Sequence, residues 1–251
     1  KIIEYFKKYK LDFVLDEINY STHNDQLSIQ KETYKPELND LYRLHEFLII
    51  NKRVTALEFG CGWSSLVIFN ALMHNKKKYY KDIKNLRFNN PFELFSVDNE
   101  KKFIKISKNR LKKNFRKEYV SAHFRFSEIN MNLIDNSICN TYTRLPMVNP
   151  DIIYLDGPDQ FNVKKKINGI NIGHPDFMPM NADIILIEPF LKPGTIIITD
   201  GRTSNFRFLT VNLKRKWIFF EDSKNDQHYL YLKEQPLGKP NLNQLKFYKK
   251  I

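Results

Sequence analysis

Apolar positions change their spacing several times along the chain, and each change marks an element. In "PELNDLYRLHEFLIINK" (36–52), Leu38, Leu41, Leu44 and Leu48 recur at three- and four-residue steps. That is one face of a helix, with Pro36 near its start. From residue 54 short apolar runs alternate with helical patterns. "VTALEFG" is a strand ending in glycine, and "SSLVIFNALMHNK" is a helix with almost no polar face, expected to be buried. "FELFSVD" (92–98) is a second strand. The next segment, "NEKKFIKISKNRLKKN" (99–114), predicts a helix with Phe103, Ile106 and Leu111 inward. "YVSAHFRFS" (119–127) alternates as a third strand, and "DIIYLDG" (151–157) is a continuous apolar run typical of a central parallel strand. "NADIILIEPFLKPG" (181–194) predicts a helix stopped by Pro and Gly, and "TIIITDG" (195–201) another central strand. "SNFRFLTVNLKRK" (204–216) predicts a helix with Phe206, Leu209 and Leu213 inward. "KWIFFED" and "QHYLYLK" end the series as a strand hairpin.

This alternation predicts an α/β fold. Its doubly wound, mostly parallel seven-stranded sheet carries an antiparallel strand from the C-terminal hairpin. The expected organisation is a helical or irregular extension over 1–53, an α/β domain over 54–233, and a tail over 234–251. In such sheets ligands bind at the carboxyl ends of the strands, beside the point where strand order reverses. That rule selects Gly60 to Ser65, Asp98, Ser127 and Glu128, Asp156 and Gly157, and Asp200 to Arg202.

Composition narrows the class. The 251 residues are 42% hydrophobic, enough for a core, and no run of eighteen apolar residues predicts a membrane span. The basic start lacks the long apolar run and small-residue cleavage site of a signal peptide. Cys61 and Cys139 are the only cysteines, so neither a disulfide scaffold nor a cysteine zinc site is expected, and a reducing cytoplasm is the simplest home. The net charge of +13 invites a nucleic-acid partner. The basic runs at 76–78, 108–117, 164–166 and 214–216 are scattered, however, as expected of solvated helix faces and loops.

Gly60 and Gly62 follow the first strand, where glycine permits a tight turn and close approach of a ligand to the backbone. Ser64 and Ser65, at the next helix N-terminus, offer hydroxyls and free N–H groups to an anion. A G-x-G turn alone is also plain strand-to-helix punctuation. Asp98 ends the second strand, where a carboxylate can accept both hydroxyls of a ribose; alternatively, Asp98 or Asn99 caps the following helix.

Taken in order, "LEFGCGWSS", "FSVDNE", "IIYLDGPD" and "LKPGTIIITDGR" resemble the successive motifs of class I S-adenosylmethionine-dependent methyltransferases, over about residues 54 to 233. The resemblance implies S-adenosylmethionine as cofactor. It implies that Glu58 shapes the cofactor loop, that Gly60, Cys61 and Gly62 lie against the methionine moiety, and that Asp98 binds the ribose. Ser127 and Glu128 would approach the adenine, and Asp156 would stand near the transferred methyl. Ser64, Ser65 and Asn99 complete the expected cofactor set. Ser64 replaces the family's common third glycine. Cys61 is read as a small tolerated side chain rather than a nucleophile.

No N/D-P-P-Y/F follows the fourth strand, which argues against amino methylation of adenine or glutamine, and no Pro-Cys does, which argues against cytosine carbon methylation. The expected acceptor is therefore a hydroxyl on a small polar molecule or sugar. An RNA methyltransferase, motivated by the charge, and a non-catalytic cofactor-binding module are the alternatives. Asp156, His174 and Asp200 are the catalytic candidates. His174 lies in the long segment 157–180, and its ordinary pKa suits a base. Asp156 and Asp200 end adjacent strands and form a candidate divalent-metal pair, although a hard cation needs more oxygen ligands than these two.

Overall fold

The structure, a computed structural model, describes residues 1–20 and 35–248. A seven-stranded sheet runs through its centre. In chain order its strands are β1 (Thr55–Phe59), β2 (Glu93–Asp98), β3 (Ala122–Phe126), β6 (Ile152–Leu155), β8 (Ile196–Asp200), β9 (Trp217–Phe220) and β10 (Gln227–Leu232). Across the sheet they lie in the order β3-β2-β1-β6-β8-β10-β9. All pairings are parallel except those of β10, which is antiparallel to both β8 and β9.

The central strands are continuous apolar runs because both faces of the sheet are covered. Ala56, Ile152, Tyr154, Ile196 and Ile198 face one core, where they meet Leu44 and Leu48 of α3 (Leu38–Ile50) and Leu66 and Phe69 of α4 (Trp63–Ile83). Leu57, Phe59, Ile153, Leu155 and Ile197 face the other, against Ile184 of α6 (Asp183–Ile187) and Phe206 and Leu209 of α7 (Thr203–Asn212). The result is a three-layer α/β/α sandwich with the expected strand order reversal between β1 and β6.

The described residues among 1–53 form α1 (Ile2–Lys8), α2 (Asp12–Tyr20) and α3, which join the first core. Phe6, Leu11 and Val14 are fully buried there. A polar chain fastens them. The Tyr5 hydroxyl bonds His45 Nδ1 at 2.8 Å, His45 Nε2 bonds Asn70 Oδ1 at 2.9 Å, and Asn70 Nδ2 donates to Tyr9 O. Burial lowers the His45 pKa to about 4. The ring is therefore neutral at pH 7, with Nδ1 accepting and Nε2–H donating.

Some expected elements differ. The helix over 181–194 is only α6 followed by a 3-10 turn, Glu188–Phe190. Pro189 prevents its extension. Glu188 is held by the backbone N–H groups of Lys214 and Arg215 and by Trp217 Nε1. Residues 129–142 form an unanticipated hairpin of β4 (Ile129–Ile134) and β5 (Ser137–Tyr142), joined by Asp135 and Asn136, both at positive φ as a tight hairpin turn requires. β7 (Val163–Lys164), from the long 157–180 segment, adds to this hairpin as a second small sheet. The 234–251 stretch, expected as a tail, contains α8 (Gly238–Phe247). Its Gln244 Nε2 donates to Leu86 O, and its Asn241 Nδ2 to Pro193 O. In α5 (Lys101–Phe115) the buried residues are Ile104, Ser107 and Leu111, so the helix is turned from the expected orientation. Phe103 and Ile106 are only half-buried.

Candidate functional site

A cleft of about 1150 Å³ opens at the carboxyl ends of the strands, beside the β1/β6 reversal. Its floor is a crossing of two backbones. Gly60, at φ +85°, follows β1 and donates its N–H to Val97 O at 2.8 Å. Gly157, after β6, donates to Phe59 O at 2.5 Å. The two glycines lie face to face. A Cβ on Gly60 would come within 2.6 Å of Gly157 N, and one on Gly157 within 2.5 Å of Gly60 Cα. Gly62 is different: its φ of −171° is extended and a Cβ there would meet nothing within 4 Å.

Glu58 organises the turn from below. It is fully buried and accepts hydroxyl hydrogen bonds from Ser64 at 2.7 Å, Ser65 at 2.6 Å, and Ser96. The hydroxyls of Ser64 and Ser65, expected to face an anion, therefore turn inward to Glu58. Ser65 Oγ also accepts the Gly62 N–H at 3.2 Å. Burial pushes the Glu58 carboxyl from its ordinary 4.5 up to about 7, against the pull of the three hydroxyls. The folded state thus holds this proton more tightly than the unfolded chain. Its contribution to stability is present below pH 4.5 and lost as the pH rises towards about 7. Thermal denaturation followed across this window should show a smaller fall in Tm with rising pH for Glu58→Gln than for the parent. Equal slopes would show that Glu58 does not carry the dependence.

Asp98 ties the second strand to the same turn. Its Oδ2 accepts the Cys61 N–H at 2.7 Å and its Oδ1 the Glu100 N–H at 2.6 Å. It is 3% exposed, and burial raises its pKa to about 6 despite these donors. Burial, Asp98 and Glu58 push the Cys61 thiol far above its ordinary range, so it is not an activated nucleophile. Asn99 does not line the cleft. Its side chain clasps the loop after β6, with Nδ2 donating to Asp159 O at 3.2 Å and Oδ1 accepting the Asp159 N–H at 2.9 Å.

The structure separates two other expected residues from the cleft. Ser127 is buried, its Oγ accepting the Arg144 N–H at 2.8 Å, and Glu128 pairs on the surface with Lys164. They anchor the small sheet. The wall beyond Asp98 is instead formed by Trp63, Phe103, Ile106 and Arg110, whose guanidinium lies 3.6 Å from the Trp63 ring centroid. Phe103, Ile106 and Arg110 stand at i, i+3 and i+7 on one face of α5; the sequence pattern assigns Phe103 and Ile106, with Leu111, to the core.

Asp156 and Asp200 both line the cleft. The Tyr154 hydroxyl donates to Asp200 Oδ2 at 2.5 Å, and burial raises the Asp200 pKa to about 6. The recessed setting also raises the Asp156 pKa, with Asp200 and Asp98 adding to the rise and Arg202 opposing it. About half of the Asp156 side chain nevertheless stays open to the cleft, so water tempers that shift. Arg202 Nε lies 4.0 Å from Asp156 Oδ1, and its Nη2 donates to Asp156 O and Pro158 O. His174 lies outside the cleft lining, exposed, with Nδ1 accepting the Asp176 N–H. Phe161, Met178 and Pro179 of the 157–180 segment add to the wall, as do the start of α3 and the β9–β10 turn, where Arg43 bonds both Asn225 Oδ1 and Asn225 O at 3.2 Å and pairs with Asp40. Nothing in the sequence pattern joined α3 to that turn.

Among the described residues no group of three or more His, Cys, Asp or Glu side chains is placed to hold a metal ion. Asp156 and Asp200 supply two carboxylates, and the Arg202 guanidinium already stands beside one of them. This donor set does not fit a hard cation.

No protein-family model matches the chain, and no curated protein matches its sequence. Solved structures do resemble it. A methyltransferase of Podospora anserina bound to S-adenosylhomocysteine superposes with a TM-score of 0.52 at 12% identity, covering 90% of this chain and 88% of that one. An O-methyltransferase of Streptomyces achromogenes involved in tomaymycin synthesis, in complex with S-adenosylmethionine, gives 0.47 at 12% identity, covering 87% and 96%. An O-methyltransferase of Bacillus cereus in complex with S-adenosylhomocysteine gives 0.45 at 11%, covering 89% and 97%. The likeness to the Podospora enzyme, with the strand order described above, gives the chain the Rossmann-like class I methyltransferase fold.

Proposed function

We propose that the protein is an S-adenosylmethionine-dependent methyltransferase acting on a hydroxyl of a small polar or sugar-type acceptor. The observation that carries this reading is the Gly60–Gly157 crossing with Asp98 beside it, at the strand-order reversal of this fold. A crossing without side chains leaves the backbone of residues 60–62 open to the methionine part of the cofactor. Asp98 stands where its remaining lone pairs can accept ribose hydroxyls. Phe103 and Ile106 offer the apolar wall that a purine ring needs, in place of Ser127 and Glu128. When bound, S-adenosylmethionine supplies an activated methyl group on a sulfonium centre.

The chain's own part is to hold the acceptor and take its proton. Asp156 is the best-placed base. It opens into the cleft, its pKa lies above the ordinary carboxylate value, and Arg202 fixes the loop that carries it. Asp200, held by Tyr154, is positioned to orient an acceptor hydroxyl rather than to move freely.

The basic surface alone favours RNA, but the cleft does not. Glu37, Asp40, Asp156, Asp200 and Asp226 line it among Lys35, Arg43, Arg110, Arg202 and Lys224, a mixed lining rather than the uniformly basic groove that tracks a phosphodiester chain. The test is transfer of a labelled methyl group to a panel of sugars, nucleotide sugars and small alcohols, beside structured RNA. Labelled hydroxyl compounds are expected. Label in RNA alone would establish the RNA reading, and cofactor binding without transfer to any acceptor would favour a binding module.

A further inference from the structure

The two ends of the sheet are unlike. β3 at one edge carries His123 and Arg125, and Arg125 Nη1 bonds Leu145 O, so charge and a neighbouring segment blunt it. β9 at the other edge reads Trp-Ile-Phe-Phe, with Ile218, Phe219 and Phe220 exposed by 48%, 40% and 59%. No described strand lies beyond it. An uncharged apolar edge strand is a template for pairing with another chain.

The backbone has a defined outward set. The pairing register places Ile218 opposite Tyr231 and Phe220 opposite Tyr229, and the Lys233 N–H bonds Lys216 O. In an antiparallel ladder the bonding direction alternates. Lys216, Ile218 and Phe220 therefore bond inward to β10, and Phe219 presents its N–H and C=O outward. The flanks are of opposite sign: Lys214, Arg215 and Lys216 precede the strand, and Glu221 and Asp222 follow it. A second copy running antiparallel about Phe219 would place Phe219 opposite Phe219, Ile218 opposite Phe220 twice, and Lys216 opposite Asp222 twice. Opposite charges and aromatic–aliphatic neighbours across strands are favourable pairs. A parallel partner of the same sequence would instead set like charges side by side.

We propose that β9 is a self-association edge, through which two copies pair antiparallel about Phe219 into one continuous sheet with a two-fold axis. The partner is a second copy because residues 216–222 map onto themselves in that direction, with Lys216 facing Asp222 at both ends of the pairing, while Lys214, Arg215 and Glu221 pair within the chain with Asp135, Glu234 and Arg207.

Light scattering after size exclusion, over a concentration series of the whole chain, tests this. The parent should show twice the chain mass, and Phe219→Lys should halve it while keeping the parent's circular dichroism. A second variant avoids dependence on stability. Phe219→Cys should cross-link to a dimer under mild oxidation, because the facing Cα atoms of such a pair are about 5.5 Å apart. Val120→Cys, exposed near the opposite edge, should not cross-link, and Cys61 and Cys139 are buried. A parent that stays monomeric at every concentration overturns the proposal, including the case where a different protein covers β9. So does a dimer that Phe219→Lys leaves intact, or equal cross-linking at positions 120 and 219.

Discussion

Gly60→Ala is expected to cost about 2–5 kcal/mol of stability and to abolish binding at the cleft. Two effects add. An alanine at φ +85° is in the left-handed region, which costs about 1–2 kcal/mol. Its methyl group would also lie 2.6 Å from Gly157 N, a backbone atom held in turn by Phe59 O, so the crossing must open. Overpacking of this kind costs about 1–3 kcal/mol. The sum is a large part of the about 5–15 kcal/mol that stabilises a typical domain. Gly62→Ala is the internal control. Its surroundings are empty, so only the loss of a favourable N-cap residue of α4, about 1 kcal/mol or less, is expected. Urea denaturation of both variants decides the matter. Equal midpoints would mean that the two backbones do not cross as closely as described.

Asp98→Ala should produce the second large effect, on affinity for S-adenosylhomocysteine. Removal of the carboxylate strips an acceptor from the Cys61 and Glu100 N–H groups and from the proposed ribose contact. Hydrogen bonds to a charged group contribute about 1.5–3 kcal/mol, so affinity should fall by about tenfold to a hundredfold. Glu128→Ala, on the exposed surface and paired with Lys164, should bind as the parent does. That pair of variants separates the two sources of expectation. The motif order implies residue 128 near the adenine, whereas Phe103 and Ile106 line the cleft and are proposed for that wall. Loss of affinity in Glu128→Ala with none in Asp98→Ala would reverse the placement.

The sheet and its turning point were readable because the strands are apolar runs separated by strong punctuation, and because glycine and aspartate close them. What escaped has physical reasons. The role of Gly157 exists only when β1 and β6 are neighbours, since its constraint comes from Gly60 rather than from its own φ. Ser64 and Ser65 sit where hydroxyls often meet an anion, but a buried Glu58 competes for them and wins. The α5 periodicity is shared by two faces one position apart. Ile104, Ser107 and Leu111 take the core, and Phe103 and Ile106 are left to the cleft. The β4–β5 hairpin did carry a signal, Asp-Asn between alternating residues, but without the glycine that marks the commonest two-residue turns. The wall built by α3 and the β9–β10 turn joins residues 182 positions apart, and no local pattern records such a contact.

The most direct measurement is calorimetric titration of the purified chain with S-adenosylhomocysteine and, separately, with oxidised nicotinamide adenine dinucleotide. The two ligands share an adenosine and differ in what the glycine crossing must accommodate. Saturable heat with the first and none with the second is expected. Clear binding of the dinucleotide, with no heat from S-adenosylhomocysteine, would contradict the assignment of this cleft to a methyl-donor cofactor.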